Sequence, residues 1–151
     1  MAERGDMVDV SAKDSTVRTA QATGKIVLGS RAFELARSGT CAKGNVPATA
    51  KVAALHAAKS TPTLIPMCHP VMIESLDVEL AEDKREGSIT VTATVKSSGK
   101  TGVEMEALTA VSVACLTIYD MLKYVGKDMV IGEVMLLSKT GGKSGDYERQ
   151  D

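Results

Sequence analysis

The stretch Ser98-Gly-Lys-Thr-Gly-Val-Glu-Met-Glu-Ala-Leu-Thr-Ala-Val-Ser-Val-Ala-Cys-Leu-Thr-Ile-Tyr-Asp-Met-Leu-Lys123 constrains this chain more than any other. A glycine-punctuated loop runs into one long apolar helix, expected over residues 104–124. Asp120 and Lys123 fall one turn apart inside that apolar pattern. Charges in a buried setting are costly unless they are paired or used, so the segment is a candidate site. Desolvation there would depress Lys123 toward the working range of a general base. The plain alternative is an i,i+3 surface ion pair, worth under ~1 kcal/mol.

The flanking sequence says what this helix packs on. Ala20, Ala22, Gly24, Ile26 and Leu28 alternate with polar neighbours, which predicts a half-buried strand over 17–28. Leu76, Val78 and Leu80 alternate likewise, as do Ile89, Val91, Ala93 and Val95, and the charged connector 82–87 predicts an antiparallel hairpin. A last strand is expected over 129–137. Ser30 reads as the N-cap of a short helix closed by Gly39, and Asn45 with Pro47 opens an alanine-rich helix over 47–59. Pro62, Pro66 and Pro70 then break regular structure, because the residue before a proline is pushed out of the helical region.

Strand, helix, helix, strand, strand, helix, strand is the split βαβ order with one helix extra. It predicts an α+β, ferredoxin-like antiparallel sheet with helices on one face. Residues 1–151 read as a single catalytic domain, with a polar arm over 1–12 and a flexible glycine-rich tail over 139–151. At this length about 68–70% of the unfolded surface is buried on folding, enough for a core without disulfides. The odd set Cys41, Cys68 and Cys115 has no CxxC and reads as reduced thiols of a cytoplasmic protein. The opening Met-Ala-Glu-Arg-Gly-Asp has no secretory apolar run, and no stretch is expected to reach the length of a membrane span. The net charge of −1 excludes a global attraction to nucleic acid, so any anion must be held by a local cluster. With aromatic residues at 3%, base-stacking platforms are excluded as well.

Individually the polar candidates are modest. The loop Gly99-Lys-Thr-Gly102 sits where a P-loop would, but that motif needs glycine at the position of Thr94, inside a clean strand. A helix start with Lys100 nearby can still attract an oxyanion. Glu104 and Glu106 would point to opposite sides of a regular helix; to serve one site they need an irregular approach or two subunits, and otherwise they simply favour the helix dipole. His69, set between Pro66 and Pro70, reads as a hydrogen-bonding residue or a proton carrier. Adjacent Cys68 and His69 make a poor chelate, so no metal is expected. Lys139 and Lys143 in the glycine-rich tail suit phosphate binding, or equally a plain flexible basic tail.

Taken in order, several runs resemble one family. They are Met7-Val-Asp-Val-Ser11, Lys43-Gly44, Leu64-Ile-Pro-Met-Cys-His-Pro70, 99–110, Leu116-Thr-Ile-Tyr-Asp-Met121, Lys127-Asp-Met-Val-Ile131 and Gly141-Gly-Lys-Ser-Gly-Asp146. The family is the molybdenum cofactor biosynthesis protein C family, the cyclic pyranopterin monophosphate synthases. The resemblance implies a homo-hexamer, a trimer of dimers, with its active site at a subunit interface. It implies a phosphorus–oxygen lyase that converts (8S)-3′,8-cyclo-7,8-dihydroguanosine 5′-triphosphate to cyclic pyranopterin monophosphate and pyrophosphate, without metal or organic cofactor, nucleic acid or membrane.

By the same resemblance Lys43, Asp120 and Lys123 are the catalytic residues, with Asp120 orienting Lys123. His69, Cys68, Glu104, Met105, Glu106, Lys139 and Lys143 bind substrate, the two lysines on its phosphates. Where many relatives carry Asp after the Lys-Gly pair, this chain has Asn45. Asn45 caps a helix equally well, but a negative charge near Lys43 is lost. The alternative reading is a non-catalytic nucleotide-binding regulator on the same scaffold.

Overall fold

Alternation turns directly into a sheet in this chain. The structure, a computed structural model, describes residues 6–151, so the first residues of the expected arm lie outside it. Strands β1 (Thr16–Val27), β2 (Ile73–Asp83), β3 (Ser88–Gly99), β4 (Val130–Thr140) and β5 (Tyr147–Glu148) accompany helices α1 (Ser30–Ser38), α2 (Val46–Leu64) and α3 (Glu104–Leu122). The strand order is β2-β3-β1-β4-β5, and every pairing is antiparallel. The four long strands have the ferredoxin-like arrangement expected from the element order, with α1 as the additional helix.

The even positions of β1 meet the helices. Ala20, Ala22 and Ile26, with Val91, Ala93 and Val95 of β3, are buried against Ala107, Ala110, Val111, Ala114, Cys115 and Ile118 of α3. Small residues on both surfaces let α3 lie close to the sheet: a Cβ on Gly24 would stand 3.5 Å from Val111 Cβ and from Cys115 Sγ. Truncating the fully buried Ile118 to Ala would cost about 2–5 kcal/mol. The opposite face carries Thr90, Thr92 and Thr94, half-buried, with Gln21 Nε2 donating to Thr94 Oγ1 at 3.0 Å. By length and a mean hydropathy of 1.4, α3 is apolar enough to cross a membrane, contrary to the sequence expectation. It is the central helix of the core.

Several boundaries differ from the sequence reading. Gly29, at φ 81°, is the N-cap of α1 and Ser30 its first residue, while Gly39 closes it as expected at φ 74°. Asn45 caps α2, its Oδ1 accepting from Ala48 N–H at 2.9 Å, but α2 runs on to Leu64 through Pro62. Pro62 falls in the last turn, where the missing amide removes a single rung of the ladder. Buried Thr61 holds that turn: its hydroxyl donates to Ala57 O at 3.0 Å and its carbonyl accepts from Ile65 N–H at 2.9 Å. Register shifts at Gln21/Ala22 and Thr23/Lys25 carry β4 to Thr140, with Glu133 at φ 51°. Lys139 is therefore a strand residue, and Tyr147 and Glu148 pair back onto Lys139 and Ser138. The glycine-rich segment is the loop of a hairpin rather than a loose tail.

Candidate active site

The first turn of α3 gathers most of the candidate substrate-binding residues. Glu106 is completely buried; its Oε1 accepts from Cys68 Sγ at 3.7 Å and its Oε2 has no partner. Burial pushes the Glu106 carboxyl above the usual carboxylate range. Burial likewise pushes the Cys68 thiol up, helped by the negative charges of Glu106 and then Glu104. Both glutamates thus bear on Cys68 from one subunit. Val103, at φ −118° and ψ 22°, is the N-cap of α3, and both glutamates lie in the first turn that follows it. Lys139 reaches Glu104 Oε1 at 3.7 Å and donates to Ser144 Oγ at 2.6 Å. Cys68, His69, Glu104 and Met105 line one cavity of about 300 Å³ with Met67, Thr101 and Lys13.

A second cavity, of about 250 Å³, lies between Lys13, Thr16, Arg18, Gly142 and Lys143. Arg18, only 7% exposed, donates to the carbonyls of Gly99 at 3.1 Å and Lys100 at 3.3 Å. Gly142, at φ 85°, is glycine for two reasons: its backbone is left-handed, and a Cβ would strike the Arg18 guanidinium. Lys143 thus shares a cavity with Lys13 and Arg18, neither of which the sequence reading singled out, and with the carboxylate of Asp14. Arg18 did leave a signal: it is a charge at an even position of β1, on the face that alternation assigns to the core. Lys13, just past the expected arm, left none.

Lys43, Asp120 and Lys123 come together at the other end of α3. Lys123 Nζ sits 2.8 Å from Asp120 Oδ1, while Lys43 Nζ donates to Asp120 O at 3.0 Å and lies 3.7 Å from Oδ2. The apolar surroundings expected for Asp120 and Lys123 are absent. The helix ends at Leu122, Lys123 is its C-cap, and both side chains are about half exposed. The hydrogen bond from Lys123 holds Asp120 below the usual carboxylate range, and the same bond raises Lys123 rather than depressing it.

The two groups are far apart. From Glu106 to Asp120 the helix axis advances about 21 Å at ~1.5 Å per residue. Among the described residues, no group of three or more His, Cys, Asp or Glu side chains has the geometry to hold a metal ion.

The chain thus combines a ferredoxin-like α+β sheet, a lysine–carboxylate cluster at one end of α3 and, at the other, cavities lined by Cys68, His69, Glu104, Lys13 and Arg18. Residues 7–142 match the MoaC family. Cyclic pyranopterin monophosphate synthase of Thermoanaerobacter sp. (strain X514) is 54% identical over 147 residues, covering 97% of this chain and 93% of the relative. The synthase of Clostridium acetobutylicum is 51% identical over 146 residues, covering 97% and 91%. That of Helicobacter hepaticus is 52% identical over 145 residues, covering 96% and 91%. The chain belongs to the MoaC family, and with it to the lyases.

Proposed function

We propose that this protein is a cyclic pyranopterin monophosphate synthase of molybdenum cofactor biosynthesis, acting on (8S)-3′,8-cyclo-7,8-dihydroguanosine 5′-triphosphate and releasing pyrophosphate. The observation that carries this reading is the Lys43–Asp120–Lys123 triad on a chain of the MoaC family. Opening one ring, closing the pterin and pyran rings and forming the cyclic phosphate each need a proton moved at a fixed place. Lys123, kept protonated by Asp120, starts as a proton donor, and Lys43 is its partner. Asp120 orients both amines.

At the other end, Cys68, His69, Met105 and Glu104 hold the purine-derived ring, and buried Glu106 acts on it through Cys68. A chain of net charge −1 must gather cations to hold a triphosphate; Lys143 with Lys13 and Arg18 supplies three around one cavity, and Lys139, paired with Glu104, a fourth. They also stabilise the charge on departing pyrophosphate.

Acid–base groups must approach within about 3 Å of the atoms they serve. Groups separated by about 21 Å on one helix cannot all reach a single ring. The site is therefore shared: the lysine end of one copy meets the glutamate end of another, and a two-fold pair completes two identical sites. A homo-hexamer built as a trimer of dimers accommodates this. The free thiols Cys41, Cys68 and Cys115 suit the reducing cytoplasm.

The test is incubation with the cyclised substrate under anaerobic conditions with a chelator, following pyrophosphate and the oxidised, fluorescent pterin. Stoichiometric appearance of both is expected. Tight binding without turnover would replace the synthase by a regulator. Mixing inactive Lys123→Ala with inactive Glu106→Ala protein should restore part of the activity through hybrid sites; a mixture that stays inactive after subunit exchange would refute the shared site.

A further inference from the structure

Lys43 has no burial to fix it. It lies on the connection between α1 and α2, and Ala42, Lys43 and Gly44 are all exposed. The connection is tied down by contacts with the end of α3. The buried Cys41 thiol donates to Met121 O at 3.4 Å. Gly44 N–H closes a turn onto Cys41 O at 3.1 Å, with Gly44 at φ 117°. Between these, the amide of Ala42 donates to the phenol oxygen of Tyr124 at 2.9 Å. Tyr124 directly follows Lys123. The same short segment therefore brings Lys123 to Asp120 and grips the backbone next to Lys43.

We propose that Tyr124 is the positioning residue for Lys43: its hydroxyl, by accepting from Ala42 N–H, fixes the loop so that the Lys43 amine stays on Asp120. This deepens the function proposed above and rests on it. The Tyr124 ring is nearly half exposed, so its removal costs little packing; the hydroxyl is the part with a specific partner. Without it the Ala42 amide turns to water. Lys43 then spends less time in reach of its partner and of substrate, where small misplacements are costly.

The test compares full-length protein with Tyr124→Phe and Tyr124→Leu variants. Both should lower kcat about three- to tenfold with KM little changed, matching the loss of one neutral hydrogen bond. Equal effects of Phe and Leu identify the hydroxyl rather than the ring. A second readout does not depend on turnover: trace acetylation with acetic anhydride, read peptide by peptide by mass spectrometry. Lys43 should label several-fold faster in Tyr124→Phe, with Lys123 unchanged. Unchanged Lys43 labelling overturns the proposal, and so does faster labelling with wild-type kcat. If the parent protein itself has no turnover, the proposed function fails, and labelling alone then decides the positioning.

Discussion

Replacing Glu106 by Gln removes a charge from a fully buried position while keeping the shape of the side chain. The amide oxygen can go on accepting from Cys68, and the amide nitrogen inherits the position of the unpartnered oxygen; what disappears is the buried charge. An unsatisfied buried polar group costs about 1–3 kcal/mol, and more when it is charged. The sign of the pH dependence follows from the direction of the pKa. Burial raises the folded-state carboxyl above its unfolded value of about 4.3. Between those two values the folded chain binds more protons than the unfolded chain, so stability falls as pH rises through the window and stays lower above it. Glu106→Gln has no such fall. The variant and its parent should be nearly equal in stability at pH 4. At pH 8 the variant should be the more stable of the two, each kcal/mol of lead moving Tm by roughly 2–4 °C in a chain of this size. Thermal scans from pH 4 to 8 measure the gap. A gap that does not change with pH, or a parent more stable than the variant at pH 8, would refute the burial argument. Turnover should fall in the same variant, because the group that destabilises the fold is one that the proposed site uses.

Other outcomes follow from the same geometry. Lys123→Ala should lower kcat about 10²–10⁴-fold with the assembly intact by size-exclusion chromatography, and full activity would remove Lys123 from the mechanism. The Lys123 ammonium should persist to higher pH than an ordinary lysine in ¹⁵N-lysine NMR, since the hydrogen bond to Asp120 raises it; deprotonation near neutral pH would contradict the ion pair. Asn45→Ala should cost about 0.5–2 kcal/mol by urea unfolding through loss of the α2 cap, whereas Asn45→Asp should cost nothing. In native thiol labelling, partly exposed Cys68 should react slowly. Cys115, buried and pushed up to about 11, should stay silent until unfolding.

What could be read from the sequence was whatever rests on period. The alternation at Ala20, Ala22 and Ile26 and at Val91, Ala93 and Val95 became the buried sheet face, and the four-strand order followed. Features set by tertiary contacts were not legible. Pro62 stays helical because buried Thr61 and the packing of α2 hold its turn. β4 reaches Lys139 because bulges absorb the mismatch with β1. Asp120 and Lys123 looked buried because the apolar count continued past them, but α3 ends at Leu122 and solvent reaches both. The charge of Arg18 at a core register was visible in the sequence, but its partners, the carbonyls of Gly99 and Lys100, were not.

The length of α3 is itself a specification. Deleting one residue between Glu106 and Asp120 would turn the lysine end by about 100° and draw it back about 1.5 Å. In the proposed pair of copies that complete each other's sites, both sites would lose alignment at once, however well each subunit refolded around the gap. Loops in such an assembly are free to lengthen or shorten, but the residue count of this one helix is dimensioned like a machine part.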